Sequence, residues 1–143
     1  MKIRTDYVTN SSSSSFVVAY RAMPEFDEET LSKYPFLKNY GNMMEKALLV
    51  EGGNETTEGE MCRTKEEFDK WFVYRYGWRD ADTVEKVVED DEYLRTRYDE
   101  WAGYVSDGFN ILCKYVDYND EYCNNLIHSL AADNDDFIIL EDE

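Results

Sequence analysis

Histidine is almost absent from this chain. His128 stands alone among 143 residues, so the side chain most often used for acid–base catalysis is nearly missing. Cysteine is scarce as well. Cys62, Cys113 and Cys123 are odd in number and widely spaced, which fits neither a disulfide framework nor a CxxC metal pair and predicts a reducing compartment. No stretch reaches the ~20 apolar residues of a membrane span, and Lys2, Arg4 and Asp6 interrupt what would be the apolar core of a signal peptide. These absences predict a cytoplasmic protein. Positive charge is also in deficit: 15 Lys and Arg face 32 Asp and Glu, a net charge of −17. A surface of that sign repels phosphate backbones and anionic lipid, which argues against direct binding of nucleic acid or membrane. It suits solubility, a basic protein partner, or carboxylates that stand in for phosphates in a nucleic-acid-binding groove.

What the chain has in plenty is apolar and aromatic surface. An apolar share of 43% and an aromatic share of 15% argue for a packed core rather than disorder, and the length is that of one domain. Lys2 to Val8 alternates apolar and polar residues, as a half-buried strand does, and Phe16 to Tyr20 is continuously apolar and reads as a buried strand. Asp27 is a cap for a short helix that Pro35 stops. Leu37, Tyr40, Met44, Ala47 and Leu48 mark a second helix ending at Gly52-Gly53, with Leu48 to Val50 readable as either helix or strand. Thr64 with Glu67 forms a capping-box pattern before Phe68, Trp71, Phe72 and Tyr76, and Gly77 ends that helix. Asp82 with Glu85 opens a longer helix, in which Asp90 and Asp91 mark a kink or break. Phe109 to Tyr118 reads as a strand, Asn119 or Asp120 as the cap of a last helix, and Phe137 to Leu140 as a final strand. The expected fold class is α+β: a small mixed sheet, made of N-terminal strands and a C-terminal strand–helix–strand unit, covered by several helices. Residues 1–143 form one domain in this reading, with residues 1–15 a separable N-terminal segment.

Chemistry-bearing patterns are weak. His128 lies off the apolar stripe of its helix, five residues from Cys123, so the two do not face each other. Cys113 and Cys123 read as small buried hydrophobes. Cys62 is the candidate reactive thiol, beside Arg63 and Lys65 near a helix N-terminus, with Glu60 and Glu66 opposing and loop packing the plainer reading. Asp117, Asn119 and Glu121 begin like a calcium loop, but Tyr122 replaces the turn glycine and His128 the bidentate glutamate. Asp133, Asp135 and Asp136 read as turn residues. No metal or cofactor is expected. The better pointer is aromatic: Tyr74, Tyr76 and Trp78 cluster at one helix end, and Tyr115, Tyr118 and Tyr122 flank a strand-to-helix turn. Rimmed by acids, such rings suit protein binding; packing over the edge of the core is the alternative.

The run Ser11, Ser12, Ser13, Ser14, Ser15 is the most distinctive local feature. It is a flexible connection, the start of the following strand, an anion-binding turn, a phosphorylation site or an edge for strand pairing. The sixteen residues from Met1 to Phe16, with Lys2-Ile3-Arg4-Thr5-Asp6-Tyr7-Val8-Thr9-Asn10 before the serines, resemble the opening of a loose group of bacterial and bacteriophage proteins. The resemblance implies a bacterial or phage origin and a shared processing, targeting or docking tag; it carries over no catalytic residue. Together these features favour a non-enzymatic acidic protein-interaction domain. A small enzyme or enzyme remnant using carboxylates or Cys62 is the alternative, and a structural homo-oligomer is a third.

Overall fold

The structure, a computed structural model, describes residues 14–22, 25–53, 55–78, 80–132 and 134–143. The expected strand at Lys2 to Val8 and the serines Ser11 to Ser13 lie outside the described residues. The fold class is α+β, with four strands in one antiparallel sheet and six α-helices among the described residues. In chain order these are β1 (Ser14–Tyr20), α1 (Glu28–Lys33), a 3-10 turn (Pro35–Asn39), α2 (Tyr40–Leu49), β2 (Glu60–Cys62), α3 (Lys65–Tyr76), α4 (Val84–Val88), α5 (Glu92–Ser106), β3 (Asn110–Val116), α6 (Glu121–Ala131) and β4 (Phe137–Asp142). The strands lie in the order β2-β3-β1-β4. Internal packing divides the chain into two compact units: Met1–Glu60 with Leu112–Glu143, and Met61–Ile111.

In the first unit β1 occupies a central place, flanked by β3 and β4. That position explains its unbroken apolar run, because a strand covered on both faces needs no alternation; Phe16, Val17, Val18 and Ala19 are all fully buried. Ser14 and Ser15 open this strand. Ser14 is buried, and Ser15 exchanges backbone hydrogen bonds with Glu143 at the far end of β4. The boundary drawn at residue 15 therefore cuts into a paired strand. β4 runs antiparallel to β1, with Tyr20 opposite Phe137 and an irregularity between Val17 and Val18. Because β3 also neighbours β1 in an antiparallel sheet, β3 and β4 point the same way with β1 between them. The strand–helix–strand unit is thus split rather than adjacent. Long-range pairing with β1, which comes a hundred residues earlier, decided this. α6 packs against β4, and its Cys123, Ile127 and Leu130 are buried.

Local signals set the helix ends here. Asp27 caps α1 by accepting the Thr30 N–H at 2.8 Å. Pro35 stops the α-helix but itself begins the 3-10 turn, since proline suits a first helical position. α2 continues through Leu49, so Leu48 to Leu49 is helix, and Val50 leaves it in an extended conformation. Gly52 and Gly53 belong to the following strap, described at residues 50–53 and 55–59, rather than to a helix cap.

In the second unit α3 packs on both α4 and α5. Phe68, Trp71 and Phe72 of α3 and Trp101 of α5 are buried, with the Trp71 and Trp101 rings 6.1 Å apart and Tyr98 stacked on Phe68 at 5.6 Å. Thr64 accepts the Glu67 N–H at 3.1 Å, while the Glu67 carboxylate reaches one residue beyond the usual capping box, to the Arg63 N–H at 2.8 Å. The long helix expected from Asp82 is two helices. α4 stops after Val88, Asp91 caps α5 through the Leu94 N–H at 3.0 Å, and Arg95 donates to the carbonyls of Val88 and Glu89, both at 2.9 Å. The carbonyls orphaned at the end of α4 are thereby satisfied by a side chain from α5.

Candidate functional site

The break between α4 and α5 builds a site in the second unit. An open cavity of about 570 Å³ is lined by Trp78, Ala81, Lys86 and Val87 and by the carboxylates of Asp80, Glu89, Asp90 and Asp91. Consecutive acids fall here because the chain turns sharply between two caps, and turns and first helical positions favour Asp and Glu. Trp78 is 65% exposed, whereas Trp71 and Trp101 are buried. Among the described residues lining the cavity Lys86 is the one cation, and it is engaged: its Nζ lies 3.0 Å from Asp82 Oδ1. That hydrogen bond holds the Asp82 carboxyl below its usual range. Asp91 spends one oxygen on its helix cap. The carboxylates of Asp80, Glu89 and Asp90 take no hydrogen bond or ion pair from any described residue. A negative rim that no described residue pairs with, set beside an exposed indole, is the combination a guanidinium or ammonium seeks.

The aromatic residues singled out at this helix end separate in space. Tyr74 is 82% exposed. Tyr76 turns inward instead, half-buried, its ring 4.7 Å from Phe72, 6.3 Å from Trp101 and hydrogen-bonded by Arg97 at 3.2 Å. Residues 74 and 76, two apart on a helix, must face different sides, so only Tyr74 and Trp78 remain on the surface. A second, smaller cavity of about 320 Å³ carries Lys65, Asp69 and Tyr98. Lys65 donates to Tyr98 at 2.9 Å and to Asp69 at 3.0 Å, and Tyr98 donates to Asp69 at 2.6 Å. Hydrogen bonding by Tyr98 and then Asp69 raises the Lys65 pKa, while burial and the bond to Asp69 raise that of Tyr98. Lys65 and Tyr98 therefore keep their protons at neutral pH.

In the first unit Tyr115, Tyr118 and Tyr122 are all exposed, at 36%, 45% and 70%. The turn bearing them is held by buried polar groups, of which the sequence reading named Asp120 as a helix cap and passed over Lys114. Lys114, on β3, is 1% exposed. Its ammonium donates to the carbonyls of Val50 at 2.7 Å and Thr57 at 2.8 Å, pinning the strap at these two residues. Burial lowers its pKa against the raising effect of Cys123, Asp120, Glu51 and Glu58. Asp120 caps α6 through the Cys123 N–H and holds the strap through the Gly53 N–H, both at 3.0 Å. Burial pushes the Asp120 carboxyl up, but bonds from Cys123, Thr56 and Gly53 and the charge of Lys114 outweigh it and leave it below its usual range. Asp117 donates its N–H to the Thr56 hydroxyl at 3.0 Å. The available signal was the register of β3, since Leu112, Lys114 and Val116 alternate onto one face and a lysine between two core positions calls for buried acceptors.

The remaining candidates are placed plainly. Cys62 sits in β2 and is buried, as are Cys113 and Cys123, and burial raises the Cys123 thiol. His128 lies 3.5 Å from Asp142 with the Phe16 ring edge-on at 5.5 Å. Asp136 pairs with Arg21 at 2.6 Å, and Asp133 is outside the described residues. Among the described residues no three His, Cys, Asp or Glu side chains gather as metal ligands, and no helix is long and apolar enough to cross a membrane. The fold and these surfaces define an acidic α+β protein with exposed aromatic patches. Comparison with protein-family models, curated proteins and solved structures finds no match.

Proposed function

We propose that the chain is a non-enzymatic protein-interaction domain whose partner is a basic protein, received at the Trp78 cavity. The observation that carries this reading is the pairing of an exposed indole with three carboxylates around a cavity whose one described lysine is already bound to Asp82. A cationic side chain entering there lies beside the exposed indole and meets carboxylates that no described residue pairs with. Steering by the net charge of −17 brings such a partner in quickly and makes the association sensitive to salt.

Trp78 reports on its own site, because the other two tryptophans are buried and inaccessible to an aqueous quencher. A synthetic peptide of alternating arginine and glycine should shield Trp78 from acrylamide. Trp78→Ala should weaken peptide binding by about tenfold, in the range of interface tryptophan anchors, and raising salt from about 30 to about 300 mM should weaken it further. A peptide that binds Trp78→Ala as tightly as the parent, or leaves the indole fully quenchable, would sink the proposal.

A further inference from the structure

The strap (residues 50–53 and 55–59) and the tyrosine turn lie together on the first unit, joined by hydrogen bonds. Glu51, Glu55 and Glu58 of the strap are exposed, with no Lys or Arg between Val50 and Glu60. The strap is tied to the turn at several places. Thr57 donates its N–H to the Tyr115 carbonyl at 3.0 Å and receives the Tyr115 N–H on its hydroxyl at 3.3 Å. Gly53 is bonded to Asp120, between Tyr118 and Tyr122 in sequence. Beneath these ties Lys114 holds Val50 and Thr57.

Two glycines show how closely the strap lies. A Cβ on Gly52 would collide with the Asp120 carboxylate, and one on Gly59 would fall 2.6 Å from the Leu48 carbonyl and 2.8 Å from Leu112 Cδ1. The backbone that carries these tyrosines is held at several points before any partner arrives, so binding there loses little backbone freedom.

We infer that this surface is a docking face for an extended segment of a protein partner bearing arginine or lysine, and that Lys114 is its positioning residue. The inference rests on the reading that the partner is basic, and it assigns that partner a second contact, independent of the Trp78 cavity. Charge decides the occupant. Glu51, Glu55 and Glu58 lie on the strap that is tied to the tyrosine turn, and Glu121 lies on the turn itself beside Tyr122 in sequence. A second copy of a chain carrying −17 would bring like charges against them, whereas a cationic segment neutralises them while its aliphatic stems lie on the rings.

Hydrogen exchange on the full chain, with and without the arginine–glycine peptide, tests this alongside the Trp78 shielding measurement. Slowed exchange at residues 51–59 and 115–122, lost in a Tyr118→Ala/Tyr122→Ala double variant that still shields Trp78, supports the face. Shielding of Trp78 with unchanged exchange of the strap overturns the face and leaves the cavity reading standing. A response at neither place overturns both. A concentration-dependent dimer by light scattering, with the strap protected in the absence of peptide, also overturns the face. For the role of Lys114, Lys114→Met should speed exchange at Gly53 and Thr57 by about tenfold relative to β1 and lower peptide affinity, whereas unchanged strap exchange refutes that role. Should Lys114→Met fail to fold, the tyrosine double variant decides the proposal by itself.

Discussion

Lys114 concentrates the physics of this protein into one residue. A buried ammonium loses its hydration, and the two carbonyls it meets recover part of that loss by charge-assisted hydrogen bonding. Because burial lowers its pKa, the folded chain releases this proton at lower pH than the unfolded chain does. Between the two pKa values the unfolded state binds more protons, so stability rises with pH over a window closing near the usual lysine value of ~10.4. Lys114→Met lacks this term. Urea midpoints of parent and variant, compared between pH 7.5 and 10, should diverge in the parent's favour as pH rises, and parallel curves would contradict the argument. Asp120 acts in the opposite range: its depressed pKa contributes stability above the unfolded carboxyl value, and that contribution is lost as pH falls through the folded one.

At the scale of elements, the strap and the α4–α5 break show short segments deciding where function sits. Gly52 has no room for a Cβ, so Gly52→Ala must displace Asp120, loosening both the strap and the α6 cap. Its cost should be about 1–3 kcal/mol, the range of overpacking substitutions, while Gly53→Ala, with open space around it, should cost less. Chemical denaturation of the two variants checks the contrast; equal costs would argue that the strap is loosely held. Capping signals at Asp27, Thr64 and Asp120 were legible because a cap is a local contract between a side chain and backbone N–H groups a few residues on. The cap that Asp91 supplies was not read, and the break at Asp90 and Asp91 was legible only as a choice between kink and break. Arg95 decides it, by taking up the carbonyls of Val88 and Glu89.

For the whole molecule, one sign of charge dominates. Self-repulsion at −17 disfavours the compact state, and salt screens it, with the screening length falling from about 30 Å at 10 mM to about 8 Å at 150 mM. Thermal stability should therefore rise over that salt range while binding of a basic peptide weakens. These opposite trends, followed by calorimetry and by Trp78 shielding, separate an acidic surface kept for recognition from one that merely keeps the chain in solution. If both quantities move together, charge steering is not what drives the association.

The amino-acid sequence by itself determined the fold class, most element boundaries and the acidic, aromatic character of the surface, because composition, caps and hydrophobic period act over a few residues. It placed Tyr74, Tyr76 and Trp78 together as neighbours on the chain, but helix geometry turned Tyr76 inward. It passed over Lys114, whose acceptors at Val50 and Thr57 are 64 and 57 residues away. Only the tertiary structure inserted β1 between β3 and β4, drew the strap onto the tyrosine turn and opened the acidic cavity beside Trp78. The first two depend on contacts between distant residues, which leave no periodic trace along the chain; the cavity is lined within residues 78–91 and turns on a helix break that periodicity alone does not resolve.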